Sequence, residues 1–225
     1  MRRRLEPELM EDPAQVAAYA QADFSEPNGR FLQLLEELVP EAQCNGRVLD
    51  LGCGPGDIPL RLLKRYPQAR CDALDGSRAM LDQAEAALSD WPGLAARCRW
   101  IHAVLPSEAL PKAAYDLVIS NSLLHHLPDP QVLWQTIRET ANPGAWVLVM
   151  DLMRPPSVQW VEALVATYGA EEPEILQRDF RNSLFAAFEP QEVVTQLQEA
   201  GLPLEVGRVS DRHLAVWGRL EDAHA

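Results

Sequence analysis

Positive charge is scarce in this chain: Lys and Arg number 20 against 33 Asp and Glu, for a net charge of −13. A protein so charged repels phosphate backbones unless its basic residues gather on one face. The one basic cluster in the sequence is Arg2-Arg3-Arg4, so no nucleic-acid partner is expected. Cysteine is also sparse. Cys44, Cys53, Cys71 and Cys98 stand singly, with no CxxC pair, which provides neither a disulfide frame nor a cysteine zinc site. No run of about 18 uncharged apolar residues occurs, so no membrane-spanning helix is expected. The amino-terminal arginines are not followed by the apolar stretch of a signal peptide. These absences lead us to expect a soluble, cytoplasmic protein, monomeric or homodimeric, with no membrane partner.

What is present is ordinary for a globular chain, 47% hydrophobic and 24% charged over 225 residues, enough for a sizeable core. One domain over 1–225 is expected. Residues 1–45 read as a helical cap. Asp12-Pro13 forms a good N-cap and first-turn pair, and Val16, Ala20 and Phe24 recur at fours. A break at residues 25–29 precedes a second helix carrying Phe31, Leu34, Leu35 and Leu38, which Pro40 stops. From Arg47 strand and helix patterns alternate, the signature of a parallel sheet. Strands are expected at 48–51, 71–74, 98–104, 115–120 and 145–150. Helices are expected between them, one capped by Ser77 and one opening at Asp129-Pro130, with a turn at 142–144 before the fifth strand. Beyond Arg154 come a helix ending at Gly169, a polar segment over 175–188, and a helix from Pro190 to Gly201. Two last strands, 204–209 and 213–217, are joined by too short a link for a crossover and should be antiparallel.

Chemistry concentrates at three places. The first is Gly52-Cys53-Gly54-Pro55-Gly56, between the first strand and a helix that opens at Asp57. Glycines there permit positive φ and let a ligand approach the backbone. A dinucleotide fingerprint wants glycine where Asp57 stands, and an acid on a helix N-terminus does not suit a pyrophosphate. It suits a ligand with a cationic end, such as an amino acid. The second place is Asp75, closing the second strand, where an acid can accept both ribose hydroxyl protons. The third is Asn121, directly after the fourth strand, followed by His125 and His126. Adjacent histidines point in different directions on a regular element, which argues against a chelating pair, so no metal is expected.

VLDLGCGPGD (48–57), CDALDGSRAML (71–81), YDLVISNSLLHHLPDP (115–130) and NPGAWVLVMD (142–151) resemble four ordered motifs of class I S-adenosylmethionine-dependent methyltransferases, of the small-molecule, methyltransferase-11 type. The resemblance covers 46–153, and 191–218 is similar to that family's final helix and antiparallel strand pair. It implies a Rossmann-like α/β fold: a seven-stranded, mostly parallel sheet with an antiparallel last strand and helices on both faces. A cofactor-binding core (46–153) would carry a helical amino-terminal cap and a helical substrate lid (154–190). It also implies S-adenosyl-L-methionine as cofactor. Asp50, Gly52, Cys53, Gly54 and Gly56 would hold its methionine part and Asp75 its ribose. Gly76, Ser77 and Met80 would lie beside the adenine and ribose, and Asn121 and Ser122 would border the methionine end. Val104 stands where the family often has an acid for the adenine amino group. His102, or the backbone of Ala103 and Val104, must then meet the adenine edge.

The expected reaction is methyl transfer to a small-molecule acceptor by in-line displacement, in which positioning in a dry site does much of the work. Where the acceptor must lose a proton, His125 or His126 is the candidate base, with Tyr19 behind them. No NPPY- or DPPY-like run follows the fourth strand, which removes the main argument for a nucleic-acid base as acceptor. The resemblance implies an acceptor pocket under 154–188 and the amino-terminal helices, which Arg154, Arg178, Arg181 and Arg212, with Tyr168 and Asn182, would line, and this suggests an anionic acceptor. A regulatory or non-methylating protein that binds the same cofactor is the alternative, and a nicotinamide-dependent oxidoreductase is disfavoured by the glycine spacing.

Overall fold

The computed structural model describes residues 1–6 and 9–221. Seven strands form one sheet in the order β3-β2-β1-β4-β5-β7-β6: β1 Arg47–Leu51, β2 Arg70–Asp75, β3 Cys98–His102, β4 Tyr115–Asn121, β5 Ala141–Leu152, β6 Glu205–Arg208 and β7 His213–Arg219. The pairings β1–β2, β2–β3, β1–β4 and β4–β5 are parallel. β7 runs antiparallel to both β5 and β6, as the short link before it requires.

Continuous apolar runs in the central strands mark a sheet covered on both faces. Two large core clusters follow, one around Leu49, Leu51, Trp134 and Val149, the other around Val48, Leu62, Ile119 and Leu148. Helices α1 (Pro13–Gln21), α2 (Ser25–Leu38), α3 (Glu41–Cys44), α4 (Asp57–Arg65), α5 (Arg78–Ser89), α6 (Gln131–Thr140), α7 (Val158–Tyr168), α8 (Glu174–Ala186) and α9 (Pro190–Ala200) complete the layers. Asp12 caps α1 by accepting from the amides of Ala14 and Gln15. Gly201, at φ +67°, closes α9.

Three expectations need correction. Residues 25–29 are not a break: they form the first turns of α2, because Pro27 lies early enough in the helix to need no amide partner. The turn at 142–144 is absorbed into β5 as an irregularity in its pairing with β4, where Gly144 takes φ +75°. Residues 1–6 and 9–12 are not helical. They form an irregular strap tied to the core: the Arg4 amide donates to the Phe185 carbonyl, and Arg3 donates to the carbonyls of His125 and Leu127 while stacking over Phe188.

Candidate functional site

The strand order reverses between β1 and β4, and a crevice opens beyond the carboxyl ends of the strands at such a switch point. An inner cavity of about 110 Å³ and a wider cleft of about 600 Å³ share Tyr19, Gly52, Gly54 and Asn121 in their walls. Together they fall within the range of small-molecule sites, roughly 300–1,000 Å³.

The glycine loop builds the junction. Gly52 has φ +75°, and a Cβ there would lie 2.9 Å from Leu123, so the close packing of loop on loop requires glycine. Gly54 has φ +53°, and a Cβ would meet nothing within 4 Å, so its half-buried backbone faces open space that a ligand can enter. Asp75 grips this loop: one carboxylate oxygen accepts from the Gly54 amide and the other from the Ser77 amide, each at 2.8 Å. Each oxygen keeps a further lone pair for a ligand hydroxyl. Burial pushes the Asp75 pKa up, against the pull of those two amides.

Two buried oxygens at the crevice have no hydrogen-bond partner among the described residues: Asp50 Oδ2 and Asn121 Oδ1. Burial, and then the neighbouring Asp75, push the Asp50 carboxyl up to about 8. A buried acid of this kind costs stability unless a cation or donor meets it. The methionine ammonium of S-adenosylmethionine is such a donor, and the ribose hydroxyls suit Asp75, so the residues present fit that cofactor. Asn121 also donates to Asn28 Oδ1 at 3.2 Å, and Asn28 donates to Asp57 at 2.7 Å. Asn28, on the turn read as a break, therefore links the fourth-strand and glycine-loop sides of the crevice, and nothing in its sequence context signalled it. Asp57 is further held by Arg61 at 2.8 Å.

Gly76, Ser77, Met80, Ala103, Val104 and Ser122 line the inner cavity, and Cys53 lines the cleft. Ser122 takes φ +59°, a strained conformation that the hydrogen bond its amide donates to the Met150 carbonyl helps to hold. Gly56 packs under Trp100 and Ala84 and lines neither space, supporting the loop from behind. His102 also lies outside the lining, its Nε2 3.1 Å from the Gly76 carbonyl oxygen. The cavity wall beyond β3 is thus built from Ala103, Val104 and Leu105, with the strap residues Leu9 and Met10 closing over it. Ser77 donates to the Met10 carbonyl at 2.7 Å.

The two histidines part company in burial. His126 lines the inner cavity, whereas His125 is buried behind it, with Nδ1 2.5 Å from Asp151. Burial alone would lower the His125 pKa, but the Asp151 carboxylate and then Glu6 outweigh it and raise it. Adjacency predicts rings splayed apart, and the structure corrects this. They sit on the 3₁₀ turn Leu124–His126 with centroids 4.1 Å apart, and both reach Glu6. Tyr19 stands across the cavity, its phenol pushed up to about 12 by burial and then by Asp75, Asp151 and Asp57.

The remaining acceptor candidates lie off the cavity walls. Arg154 is buried and bonded to Glu189 at 3.1 Å and Glu192 at 2.8 Å, at the mouth of α9. Arg181 makes a two-pronged pair with Glu162 on the surface, and Arg178 faces Asp179. Arg212 pairs with Glu26 at 2.7 Å and with Asp211, and stacks over Tyr168, whose hydroxyl donates to Asp211. Asn182 is exposed. The charge of these side chains was legible in the sequence, but the acids that occupy them were not.

Residues 49–147 match a family described as a methyltransferase domain. An uncharacterised methyltransferase of Mycobacterium tuberculosis is 33% identical over 129 residues, 57% of this chain and 60% of the relative. A trans-aconitate 2-methyltransferase of an Enterobacter species is 42% identical over 86 residues, 38% of this chain and 31% of the relative. The chain therefore spans less than two thirds of these relatives. In three dimensions, a S-adenosylmethionine-dependent methyltransferase from Aquifex aeolicus superposes with a TM-score of 0.67 at 19% identity, covering 94% of this chain and 100% of that one. Phosphoethanolamine N-methyltransferase 2 of Haemonchus contortus, in complex with S-adenosyl-L-methionine, gives 0.69 at 15% identity, covering 92% and 57%. Residues 49–147 are thus similar to a methyltransferase domain, and the strand order and chain path are those of the fold found in S-adenosylmethionine-dependent methyltransferases.

Proposed function

We propose that this protein binds S-adenosyl-L-methionine across the β1–β4 switch point and transfers its methyl group to a small-molecule acceptor. The observation that carries this reading is the pair of groups left for a ligand: the partnerless Asp50 Oδ2 and the free lone pairs of Asp75 on the glycine loop. Asp50 would take the cofactor ammonium and Asp75 the ribose hydroxyls. The adenine would enter between Met80, Val104 and Leu105.

The bound sulfonium supplies an already activated methyl group. This chain's residues then have to position the acceptor, exclude water and receive any proton the acceptor loses. Tyr19, Leu123 and Leu127 supply dry walls, and of the two histidines it is His126, the candidate base, that lines the cavity. His125 acts behind it as a positioning group held by Asp151.

An anionic acceptor is the finer reading, and two observations bear on it in opposite directions. The trans-aconitate 2-methyltransferase likeness favours a carboxylate substrate. The four arginines that would bind it are each committed to acids, and carboxylates (Glu6, Asp151) stand beside the candidate base. A neutral hydroxyl, thiol or amine therefore fits the cavity better.

The test is incubation of a metabolite extract with the protein and methyl-labelled cofactor, read by mass spectrometry. Label appearing in a small metabolite supports the reading, and its charge class decides between the neutral and anionic acceptors. Cofactor binding with no labelled product would favour a regulatory role.

A further inference from the structure

Glu6 lies on the strap, far in sequence from the histidines it meets. Its Oε1 is 3.5 Å from His125 Nε2 and 3.2 Å from His126 Nδ1, and the three ligand atoms all lie within 4.8 Å of one another. Metal–nitrogen and metal–oxygen bonds of about 2.0–2.2 Å at tetrahedral angles give ligand–ligand edges of about 3.3–3.6 Å. Two of the three edges are thus close to that length before any ion binds. We propose that Glu6, His125 and His126 form a binding site for one divalent transition-metal ion, zinc being the best match, that clamps the amino-terminal strap to the core.

Three further features support a built site. Asp151, buried, holds His125 at Nδ1, which directs the Nε2 lone pair toward Glu6. Carboxylate–histidine–metal arrangements use this contact to fix ring orientation and strengthen the ligand. Ser183 donates to Glu6 at 3.1 Å and so fixes the carboxylate in turn. The donor set, two imidazoles and one carboxylate, is that of catalytic rather than closed structural zinc sites, with a fourth position left for water or an acceptor atom. Arg3 is the charge that opposes the ion. Its guanidinium is spent on the carbonyls of Ala186, His125 and Leu127, and two carboxylates, Glu6 and Asp151, stand against it.

Metal uptake does not depend on methyl transfer, so it is tested without activity. Full-length, untagged protein is stripped with a chelator, then titrated with zinc against a chromogenic competitor and, separately, with cobalt(II). The expected result is one equivalent bound, with the intense visible bands of four-coordinate cobalt. Glu6→Gln and His126→Ala should each weaken binding about 100-fold or more, and Asp151→Asn about 10–100-fold. Glu6→Gln changes a residue outside the sheet and keeps the test interpretable if a histidine variant misfolds. Absence of stoichiometric binding, or equal binding by wild type and Glu6→Gln, would overturn the site.

Discussion

Asp50 and Arg154 are both buried charged side chains, yet their surroundings are opposite. Asp50, under the glycine loop, leaves an oxygen without a partner, and its carboxyl is raised to about 8 by burial and Asp75. Arg154, at the start of the helical insertion, meets two carboxylates and the Ala187 carbonyl through its terminal nitrogens, leaving its Nε without a hydrogen bond. Buried charges in folded proteins are paired as a rule. The Arg154 charge is met by Glu189 and Glu192, whereas Asp50 Oδ2 accepts from no group among the described residues, which is where a cationic ligand would complete the structure. The negative charge in the crevice faces a cavity, while the positive charge in the insertion is held by acids of the protein itself. Residue charge alone does not tell these two apart.

Substitutions can break or sharpen that contrast. The largest effect is expected at Asp75→Ala. It removes two ligand hydrogen bonds to a charged group, about 1.5–3 kcal/mol each, and frees the Gly54 and Ser77 amides. Cofactor affinity measured by calorimetry should fall by about 100-fold or more.

Asp50→Asn comes next and should split function from stability. An acid whose folded pKa is raised from about 3.9 to about 8 binds its proton more tightly when folded. Unliganded wild-type protein therefore loses stability as pH rises from about 4 to about 8. Melting profiles of Asp50→Asn should decline less across that window, while its cofactor affinity drops about 10-fold or more. A steeper decline in the variant would remove Asp50 as the titrating group.

Arg154→Ala should do the reverse, lowering stability by about 1–3 kcal/mol in denaturant titrations through lost charged hydrogen bonds. Cofactor affinity of the folded fraction should stay unchanged. The smallest effect is expected at Arg181→Ala, whose surface pair with Glu162 is worth about 0–1 kcal/mol. Its acceptor KM should equal that of wild type, whereas a large rise would restore the anionic-pocket reading.

The same contrast explains what the sequence made legible. The central strands were readable because apolar runs between helical periods leave few alternatives, and Gly52, Gly54 and Asp75 because backbone geometry restricts those positions to few residue types. The strap escaped notice because residues 1–12 have no periodicity, and its contacts, Arg3 with the Leu127 carbonyl and Glu6 with the histidines, span more than a hundred positions. The convergence of His125 and His126 was missed because a 3₁₀ turn, not a regular helix or strand, carries them. Arg154 and Arg212 were misplaced for a related reason: the acids that hold them come from α9, α2 and the link before β7.

The most direct test of the account is calorimetric titration of S-adenosyl-L-methionine into the wild-type protein, with NADH titrated alongside. One molecule of S-adenosyl-L-methionine bound per chain, with binding lost in Asp75→Ala and no heat from NADH, is the predicted result. No binding of S-adenosyl-L-methionine, or binding unchanged by Asp75→Ala, would contradict it.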